Sequence, residues 1–379
     1  MEITALPAQR RELKGWENLI LLPYHLTSSW RHRVDRSLKK VLTRLIQMAF
    51  DAPRHWSRNL ILLTLVHVWR WSHFVLRQLE LDVYLFRGRS VIDGSYFNLM
   101  YAGDKLRLRY LRDRLFDGEV QCVSHWRIPI WRLRVLRKDM RENVDLVILE
   151  VSEVLRRLVA EKSYVEAPDS VQMVFFLSSQ QDETQIIERM KSHRESFRRF
   201  RKAGFKMVEG DNVRDFDFFY ERMHVPYIEG RHGEYADIGD REVMRRLSRH
   251  SRLRFVCLPD GTRVAGSLSM HRGSVYHGLF MGVLDGDWNI VKSGAVAFIY
   301  YQEILEAHHL GARLFDGGEV MPFEGDGVFQ HKRLWGFEPT ENPWHTNHLF
   351  FYVPNESVPG QQWLSIYKPI ANVSTSYTC

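Results

Sequence analysis

The chain has 379 residues, more than one typical hydrophobic core organises, so two domains are expected. Hydrophobic residues make up 45% and charged residues 26% of the sequence, which excludes a disordered or fibrous chain. Lysine and arginine exceed aspartate and glutamate by seven, and the excess lies before residue 205. This balance favours an anionic partner such as RNA, a phosphorylated donor or a membrane surface, and a solvated basic surface is the alternative.

Residues 1–80 carry helical patterning with many arginines and tryptophans, so we predict a helical basic extension. Its most apolar segment, Leu60 to Leu76, contains Arg70 and two histidines, which favours a buried or interfacial helix over a membrane span. Peripheral contact with a membrane remains an alternative.

The N-terminus lacks the pattern of a secretory signal, and the three cysteines form no CxxC pair. We therefore expect a cytoplasmic protein with no metal site.

From residue 81 onward, short apolar runs alternate with helical patterns, which indicates an α/β or α+β fold. The first domain is predicted over residues 81–204. It includes a basic amphipathic helix over residues 182–202, with Phe197 and Phe200 on its apolar face. The basic residues of this helix are candidates for binding nucleic acid: Arg194, Arg198, Arg199, Arg201 and Lys202.

The second domain is predicted over residues 205–379. An acidic turn begins a helix that should end near Pro226, followed by a loop containing Tyr227, Arg231 and His232. Functional residues collect on loops, so Tyr227 and Arg231 are candidates for binding substrate. His232 titrates near neutral pH and is a candidate base, although a surface histidine is the alternative.

Strands at 254–258, 264–270 and 274–282 are predicted to form an antiparallel meander. His277 lies within this meander, and the alternation of the strand leaves open whether this candidate substrate ligand faces the core or a cleft. A buried helix at 293–310 and a strand at 312–316 follow, which makes a βαβ-like unit.

The start of that buried helix has the sequence Lys292, Ser293, Gly294 and Ala295. Free amide groups and the helix dipole make such a start an anion site, suited to the pyrophosphate or phosphate of a donor. An ordinary cap formed by small residues is the alternative.

The strand at 312–316 runs into the sequence Phe315-Asp316-Gly317-Gly318-Glu319. Asp316 and Glu319 are candidate catalytic residues, because a carboxylate at the end of a strand can orient an amine or accept its proton. A turn residue is the alternative for Asp316. Lys332 and Arg333, further along, are candidates for binding a phosphate, with a solvated helix face as the alternative.

The stretch VKSGAVAFIYYQEILEAHHLGARLFDGGE, followed by GDGVFQHKRLWGFEP, resembles the C-terminal domain of the Fem-type peptidyltransferases of the GNAT acyltransferase superfamily. In that group a buried helix ends in glycine, a strand runs into an Asp-Phe-Gly-Gly-like corner, and a Lys-Lys or Lys-Arg pair precedes Phe-Gly or Trp-Gly. The resemblance implies two GNAT-like domains with mixed, largely antiparallel sheets. The sequence NIVKSG departs from the phosphate loop of simple acetyltransferases, so acetyl-CoA as donor is not implied.

The resemblance implies an N-acyltransferase that moves an aminoacyl group from aminoacyl-tRNA to an amine, with tRNA as a partner. An acyl-CoA-dependent N-acyltransferase that acts on a small amine, an amino sugar or a peptide is the first alternative. A non-catalytic RNA- or membrane-associated protein with the same fold is the second. The donor is a substrate in either enzyme, and no tightly bound cofactor is expected.

Overall fold

The computed structural model describes residues 80–103, 105–132, 144–159, 163–233, 238–342, 347–354 and 357–371. The chain divides into two compact units, the first formed by residues 1–80 and 152–154 and the second by 81–151 and 155–379. The predicted helical extension, including Leu60 to Leu76, lies outside the described residues apart from Glu80. Within the described ranges, no helix is long and apolar enough to cross a membrane.

The second unit contains two mixed β-sheets, which confirms the α+β fold class. The described strands are β1 (Glu80–Ser90), β2 (Tyr96–Ala102), β3 (Phe116–Pro129), β4 (Leu146–Ser152), β5 (Val165–Pro168), β6 (Val171–Phe176), β7 (Lys206–Glu209), β8 (Arg252–Cys257), β9 (Arg263–Arg272), β10 (Val275–Val283), β11 (Leu314–Val320), β12 (Glu338–Glu341) and β13 (Asn347–Tyr352). The six-stranded sheet has the order β3-β1-β2-β4-β13-β5, and the seven-stranded sheet has the order β12-β6-β11-β10-β9-β8-β7.

Helices pack on these sheets. The described α-helices are α1 (Lys105–Leu115), α2 (Arg156–Val159), α3 (Glu183–Arg189), α4 (Arg194–Ala203), α5 (Phe216–Phe219), α6 (Val225–His232), α7 (Arg241–Ser248), α8 (Trp288–Lys292), α9 (Ala295–His309), α10 (Gly327–Leu334) and α11 (Val358–Tyr367). Leucines of α1 lie in the core of the six-stranded sheet, whereas α4, α9 and α10 contribute aromatic side chains to the core of the seven-stranded sheet.

The two sheets do not follow the predicted division between residues 204 and 205. β6 precedes that point but belongs to the seven-stranded sheet, where it pairs with β11 and β12. β13 follows that point but lies in the six-stranded sheet beside β5. Both strands are mostly buried, and the neighbours of each come from the other half of the chain: β11 and β12 flank β6, and β4 and β5 flank β13.

The predicted meander is confirmed. β8, β9 and β10 are consecutive antiparallel strands, and after α9 the chain returns as β11, parallel to β10. The parallel register extends only from Val275 and Leu314 to His277 and Asp316. Immediately beyond His277, the register of β10 with β9 shifts between Gly278 and Phe280, as at a β-bulge. The two parallel strands therefore separate just after His277 and Asp316.

The prediction of a helix end near Pro226 is wrong. The chain forms a π-helix at Tyr220–His224 and continues without a break into α6. Pro226 lies in the first turn of α6, and the wider π-helical turn before it accommodates the proline; that turn is closed by the Val225 N–H, which donates to the Tyr220 carbonyl. Tyr227 and Arg231 therefore lie on a helix and not on a loop.

The basic helix predicted at 182–202 consists of α3 and α4, joined by a 3-10 turn at Lys191–His193. Its apolar face is confirmed, because Phe197 and Phe200 are buried and both contact the Tyr301 ring on α9. Gly204 ends α4 in the left-handed conformation, with φ 68°, as the Ala-Gly sequence predicts.

A buried ion pair lies between α9 and the seven-stranded sheet. Arg254 on β8 is 5% exposed and Glu303 on α9 is 2% exposed. The Arg254 Nη2 atom lies 3.3 Å from Glu303 Oε1 and donates to the Tyr276 hydroxyl at 2.6 Å. Burial raises the pKa of Glu303, and the Arg254 charge opposes that rise. Glu306 on α9 also contacts the Arg254 guanidinium, so the arginine pairs with two carboxylates, whereas Glu303 depends on Arg254 to be tolerated as a charge in the core.

Arg254→Met is expected to destabilise the protein by about 3–5 kcal/mol, because it leaves Glu303 buried without its cation. Urea unfolding followed by circular dichroism measures the loss. The double variant Arg254→Met, Glu303→Met removes both charges and should recover much of the stability, whereas Arg249→Ala, at an exposed position, should stay within about 0.5 kcal/mol of the parent. A single Arg254→Met variant as stable as the parent would contradict this account.

Candidate active site where two parallel strands separate

A histidine and an aspartate face each other at the last paired position of β10 and β11. His277 Nδ1 lies 3.0 Å from Asp316 Oδ2. The other carboxylate oxygen, Oδ1, accepts hydrogen bonds from the Gly318 N–H at 2.9 Å and from the Gln172 side chain on β6. A carboxylate accepts hydrogen bonds, so Nδ1 of His277 carries the proton and Nε2 is the acceptor nitrogen.

Asp316 is held in its charged form. Burial alone would raise the pKa of this carboxyl, but hydrogen bonds from His277, the Gly318 N–H and Gln172 lower it below its usual value. The side chains of His277 and Asp316 are 30% and 18% exposed, so solvent reaches the histidine more readily. The sequence left two roles open for Asp316, either to orient an amine or to accept its proton. The geometry instead favours a role in which Asp316 orients the His277 ring.

The segment that follows Asp316 is bound by Lys332 on α10. The Lys332 ammonium donates to the carbonyls of Gly317 at 2.7 Å, Gly318 at 3.2 Å and Glu319 at 3.5 Å. Its side chain is 6% exposed, and burial lowers its pKa to about 8 against the opposing charges of Asp316 and Glu319. Because these donors point at the backbone, Lys332 stabilises the corner, and its binding of a phosphate stays a prediction.

The side chains of Glu319 and Arg333, the other two candidates in this region, contact neighbouring residues away from His277. The Glu319 carboxylate accepts a hydrogen bond from Asn342 at 2.9 Å. Arg333 is exposed, and its Nη1 donates to the Phe337 carbonyl at 3.0 Å. Neither contact brings these side chains to the His277 imidazole, so their roles in catalysis and phosphate binding stay predictions.

Helix α6 contributes a tyrosine and an arginine near α10. Tyr227 is buried, and its hydroxyl accepts a hydrogen bond from Arg231 Nη1 at 2.8 Å. The positive charge of Arg231 adds to burial in lowering the pKa of both His331 and Lys332, so Arg231 acts on the same end of the site. The side chain of His232 lies outside the described residues, and its role as a base stays a prediction.

The predicted anion site at the start of α9 is covered on one side by α4. Gly294 adopts the left-handed conformation, with φ 97°, and a Cβ atom there would lie 3.3 Å from both the Ser196 carbonyl and the Phe200 nitrogen. Gly294 therefore permits the close approach of a helix. Ser293 donates its hydroxyl to the Ile290 carbonyl at 2.7 Å, Ala295 is buried and Lys292 is exposed. Binding of a phosphate by these four residues remains a prediction.

The basic face of α4 is solvent-exposed, as expected. All five predicted side chains are exposed: Arg194, Arg198, Arg199, Arg201 and Lys202. Arg198 and Arg199 both contact Glu195, at 2.8 and 3.1 Å. The face carries a clear excess of positive charge.

An aromatic cluster beside Lys332 was not predicted from the sequence. The His193 ring stacks on Trp335 at 4.0 Å, Tyr300 stacks on Trp335 at 5.4 Å, and His331 meets His193 edge-on at 5.5 Å. Burial lowers the pKa of both histidines to about 4. His331 directly precedes Lys332, and that adjacency was the signal available in the sequence.

The free energy of unfolding should fall as the pH falls from about 6.5 to about 4. The unfolded chain binds protons at His193 and His331 near pH 6.5, whereas the folded protein binds them only near pH 4, so acid favours unfolding across this window. The double variant His193→Phe, His331→Phe keeps the ring packing and should flatten this slope, measured by urea unfolding at several pH values. An unchanged slope would contradict the buried neutral state of both histidines.

Solved structures with a similar fold are distant in sequence. FemX is 14% identical, with a TM-score of 0.37 over 75% of this chain and 90% of that chain. L-PGS from Bacillus licheniformis is 13% identical, with a TM-score of 0.34 over 76% and 89%. A tandem GNAT protein from the clavulanic acid biosynthesis pathway is 11% identical, with a TM-score of 0.30 over 85% and 96%.

No protein-family model matches the chain, and comparison with curated proteins finds no match. The structural neighbours are distant in sequence, and similarity this distant does not assign an activity.

Proposed function

We propose that the protein is an N-acyltransferase that transfers an activated acyl group to an amine, with His277 as the general base. The observation that carries this proposal is the hydrogen bond between His277 and Asp316 at the point where β10 and β11 separate. Separated parallel strands leave room for an extended substrate, and an aspartate-oriented imidazole is a group suited to remove a proton from an amine.

In the proposed reaction, His277 Nε2 takes a proton from the acceptor nitrogen as that nitrogen attacks the acyl carbonyl. A C–N bond forms, and the bond from the carbonyl carbon to the donor oxygen or sulfur breaks. The imidazolium returns its proton to the leaving group, while Asp316 stabilises the positive ring. The shift in register beside Gly278 interrupts the strand ladder close to His277, and such a site can supply backbone N–H groups to the tetrahedral oxyanion.

Aminoacyl-tRNA is the donor that we favour. The exposed basic face of α4 matches an RNA backbone. α4 also contacts two elements of the site, since its backbone lies against Gly294 at the start of α9 and its Phe197 ring lies 6.0 Å from Trp335, the residue that follows α10. RNA bound on this face would lie next to helices that support the catalytic residues.

Acyl-CoA is the alternative donor, with the start of α9 as the pyrophosphate site. Helix α4 occupies one side of Gly294, which restricts approach there and makes this donor the second choice. A non-catalytic role is the least favoured, because a partly exposed histidine oriented by a partly buried aspartate has an evident chemical use.

His277→Gln is expected to lower the transfer rate by about 100-fold to 10,000-fold, the usual contribution of a general base, without loss of folding. The assay supplies tRNA charged with stable-isotope-labelled amino acids, or in parallel labelled acyl-CoA, together with a pool of small amines and peptides, and detects labelled products by mass spectrometry. The control is His309→Gln, an exposed position paired with Glu183. Full activity of His277→Gln would exclude His277 as the base.

The double variant Arg201→Ala, Lys202→Ala is expected to weaken tRNA binding. It should also reduce the magnitude of the slope of log K against log salt concentration by up to about 2. Each phosphate that the protein no longer neutralises lowers this slope by about 1. Filter binding at several salt concentrations measures this slope. The matched control is Arg246→Ala, Arg249→Ala, two exposed arginines of similar charge in the region of α7. Equal slopes for both double variants would remove the support for an RNA donor, and CoA binding by the parent would favour the alternative.

A further inference from the structure

We propose that Tyr110 and Arg114 on α1 position Lys332, and through it Asp316 and His277, by binding Asp326 at the start of α10. The inference rests on the proposed function, because it assigns these residues to the support of that site. Tyr110 and Arg114 are positioning residues, since they contact neither the dyad formed by His277 and Asp316 nor the corner segment that Lys332 binds.

Asp326 connects α1 to α10 through both of its carboxylate oxygens. Oδ1 accepts hydrogen bonds from the backbone N–H groups of Val328, at 2.9 Å, and Phe329, at 3.1 Å, and so caps α10. Oδ2 accepts hydrogen bonds from the Tyr110 hydroxyl and from Arg114 Nη2, the latter at 3.1 Å. Asp326 is 2% exposed, so the orientation of this carboxylate is fixed by these four donors.

Further contacts hold Tyr110 and Arg114 in place on α1. The Arg114 guanidinium lies 3.4 Å from the centre of the Tyr110 ring, and the Arg114 carbonyl accepts a hydrogen bond from Trp363 on α11 at 3.3 Å. Burial and the neighbouring Asp326 charge raise the pKa of Tyr110, so its hydroxyl keeps the proton that it donates. Leu108 and Leu111 anchor α1 in the core of the six-stranded sheet.

The loop that leads into α10 is bound by the C-terminal segment of the chain. The Glu324 and Gly325 N–H groups donate to the carbonyls of Lys368 and Tyr367, at 3.2 and 3.1 Å. A Cβ atom at Gly325 would lie 2.7 Å from the Ile366 carbonyl, so the loop lies directly against the end of α11. The start of α10 is therefore held by contacts outside the seven-stranded sheet, in addition to the packing of α10 on that sheet.

Less than two helical turns separate Asp326 from Lys332 along α10. A short helix transmits a shift of its first turn to its last turn as a rigid body. Lys332 then binds the carbonyls of Gly317 and Gly318, which directly follow Asp316. Release of Asp326 should therefore loosen the corner and expose the Lys332 amine.

Competitive labelling of the full-length protein with trace acetic anhydride, between pH 6 and pH 10, measures the exposure and protonation of Lys332 without any knowledge of the substrate. Peptide mass spectrometry quantifies acetylation of Lys332 against the exposed Lys206 as an internal standard. The variants are Tyr110→Phe, Arg114→Gln and Asp326→Asn. The matched control is Arg112→Ala, which removes a half-exposed arginine of the same helix that pairs with the adjacent Asp113.

Tyr110→Phe and Arg114→Gln should each raise the labelling of Lys332 about fivefold at a given pH, as expected when one hydrogen bond is removed, while Arg112→Ala leaves it unchanged. Asp326→Asn should raise labelling and also shift its midpoint to lower pH, because the Asp326 charge favours the protonated amine. Transfer by Tyr110→Phe should show a lower kcat with little change in KM.

Unchanged labelling and kcat in a folded Tyr110→Phe or Arg114→Gln variant would overturn the inference, and either variant serves if the other does not fold. These measurements distinguish a failure of the positioning inference from a failure of the proposed function. If His277→Gln abolishes transfer while Lys332 labelling stays constant in all variants, the positioning inference alone fails. If labelling responds but His277→Gln transfers normally, the proposed base alone fails.

Discussion

The arrangement of the site depends on one buried ammonium group. Lys332 donates to the carbonyls of Gly317, Gly318 and Glu319, at the point where β11 turns away from β10. A buried cation is costly unless polar groups surround it, so the corner and α10 stabilise each other through Lys332. The Gly317 and Gly318 backbone is consequently fixed, and the Gly318 N–H is directed at the Asp316 carboxylate.

That constraint explains why Asp316 and His277 meet. Asp316 receives hydrogen bonds from three directions, namely from β10 through His277, from β6 through Gln172 and from its own corner through Gly318. β6 precedes the rest of the seven-stranded sheet in the chain and lies beside β11 only because the two sheets exchange strands. The geometry of the dyad is therefore a product of the whole second unit rather than of one contiguous domain.

Local sequence signals predicted much of the seven-stranded sheet. The turns between β8, β9 and β10, the apolar helix α9 and the glycines at 204 and 311 all follow from short-range patterns, and the structure contains each element. The exchange of β6 and β13 was not predictable, because an apolar strand does not specify which sheet it joins. Helix α6 was missed because Pro226 usually ends a helix, and the π-helix that accommodates it leaves no sequence signal.

The candidate site, too, was only partly predictable from local sequence. Asp316, His277 and Lys332 were all candidates from their sequence positions, but only the parallel register of β10 and β11 brings the first two together. The inward direction of Lys332 could not be predicted either, because a Lys-Arg sequence on a short helix is compatible with a solvated face. Tyr110 and Arg114 lie more than 200 residues before Asp326, and no local pattern connects them.

The most direct test of the central claim is the tautomer of His277, read from long-range proton–nitrogen NMR spectra of protein labelled with ¹⁵N-histidine at pH 8. The His277→Gln spectrum identifies its signals. A proton on Nδ1 and an unprotonated Nε2 are expected, because Asp316 accepts the hydrogen bond from Nδ1. A neutral ring with its proton on Nε2 would contradict the account, since that nitrogen would then have no lone pair with which to accept the proton of an amine.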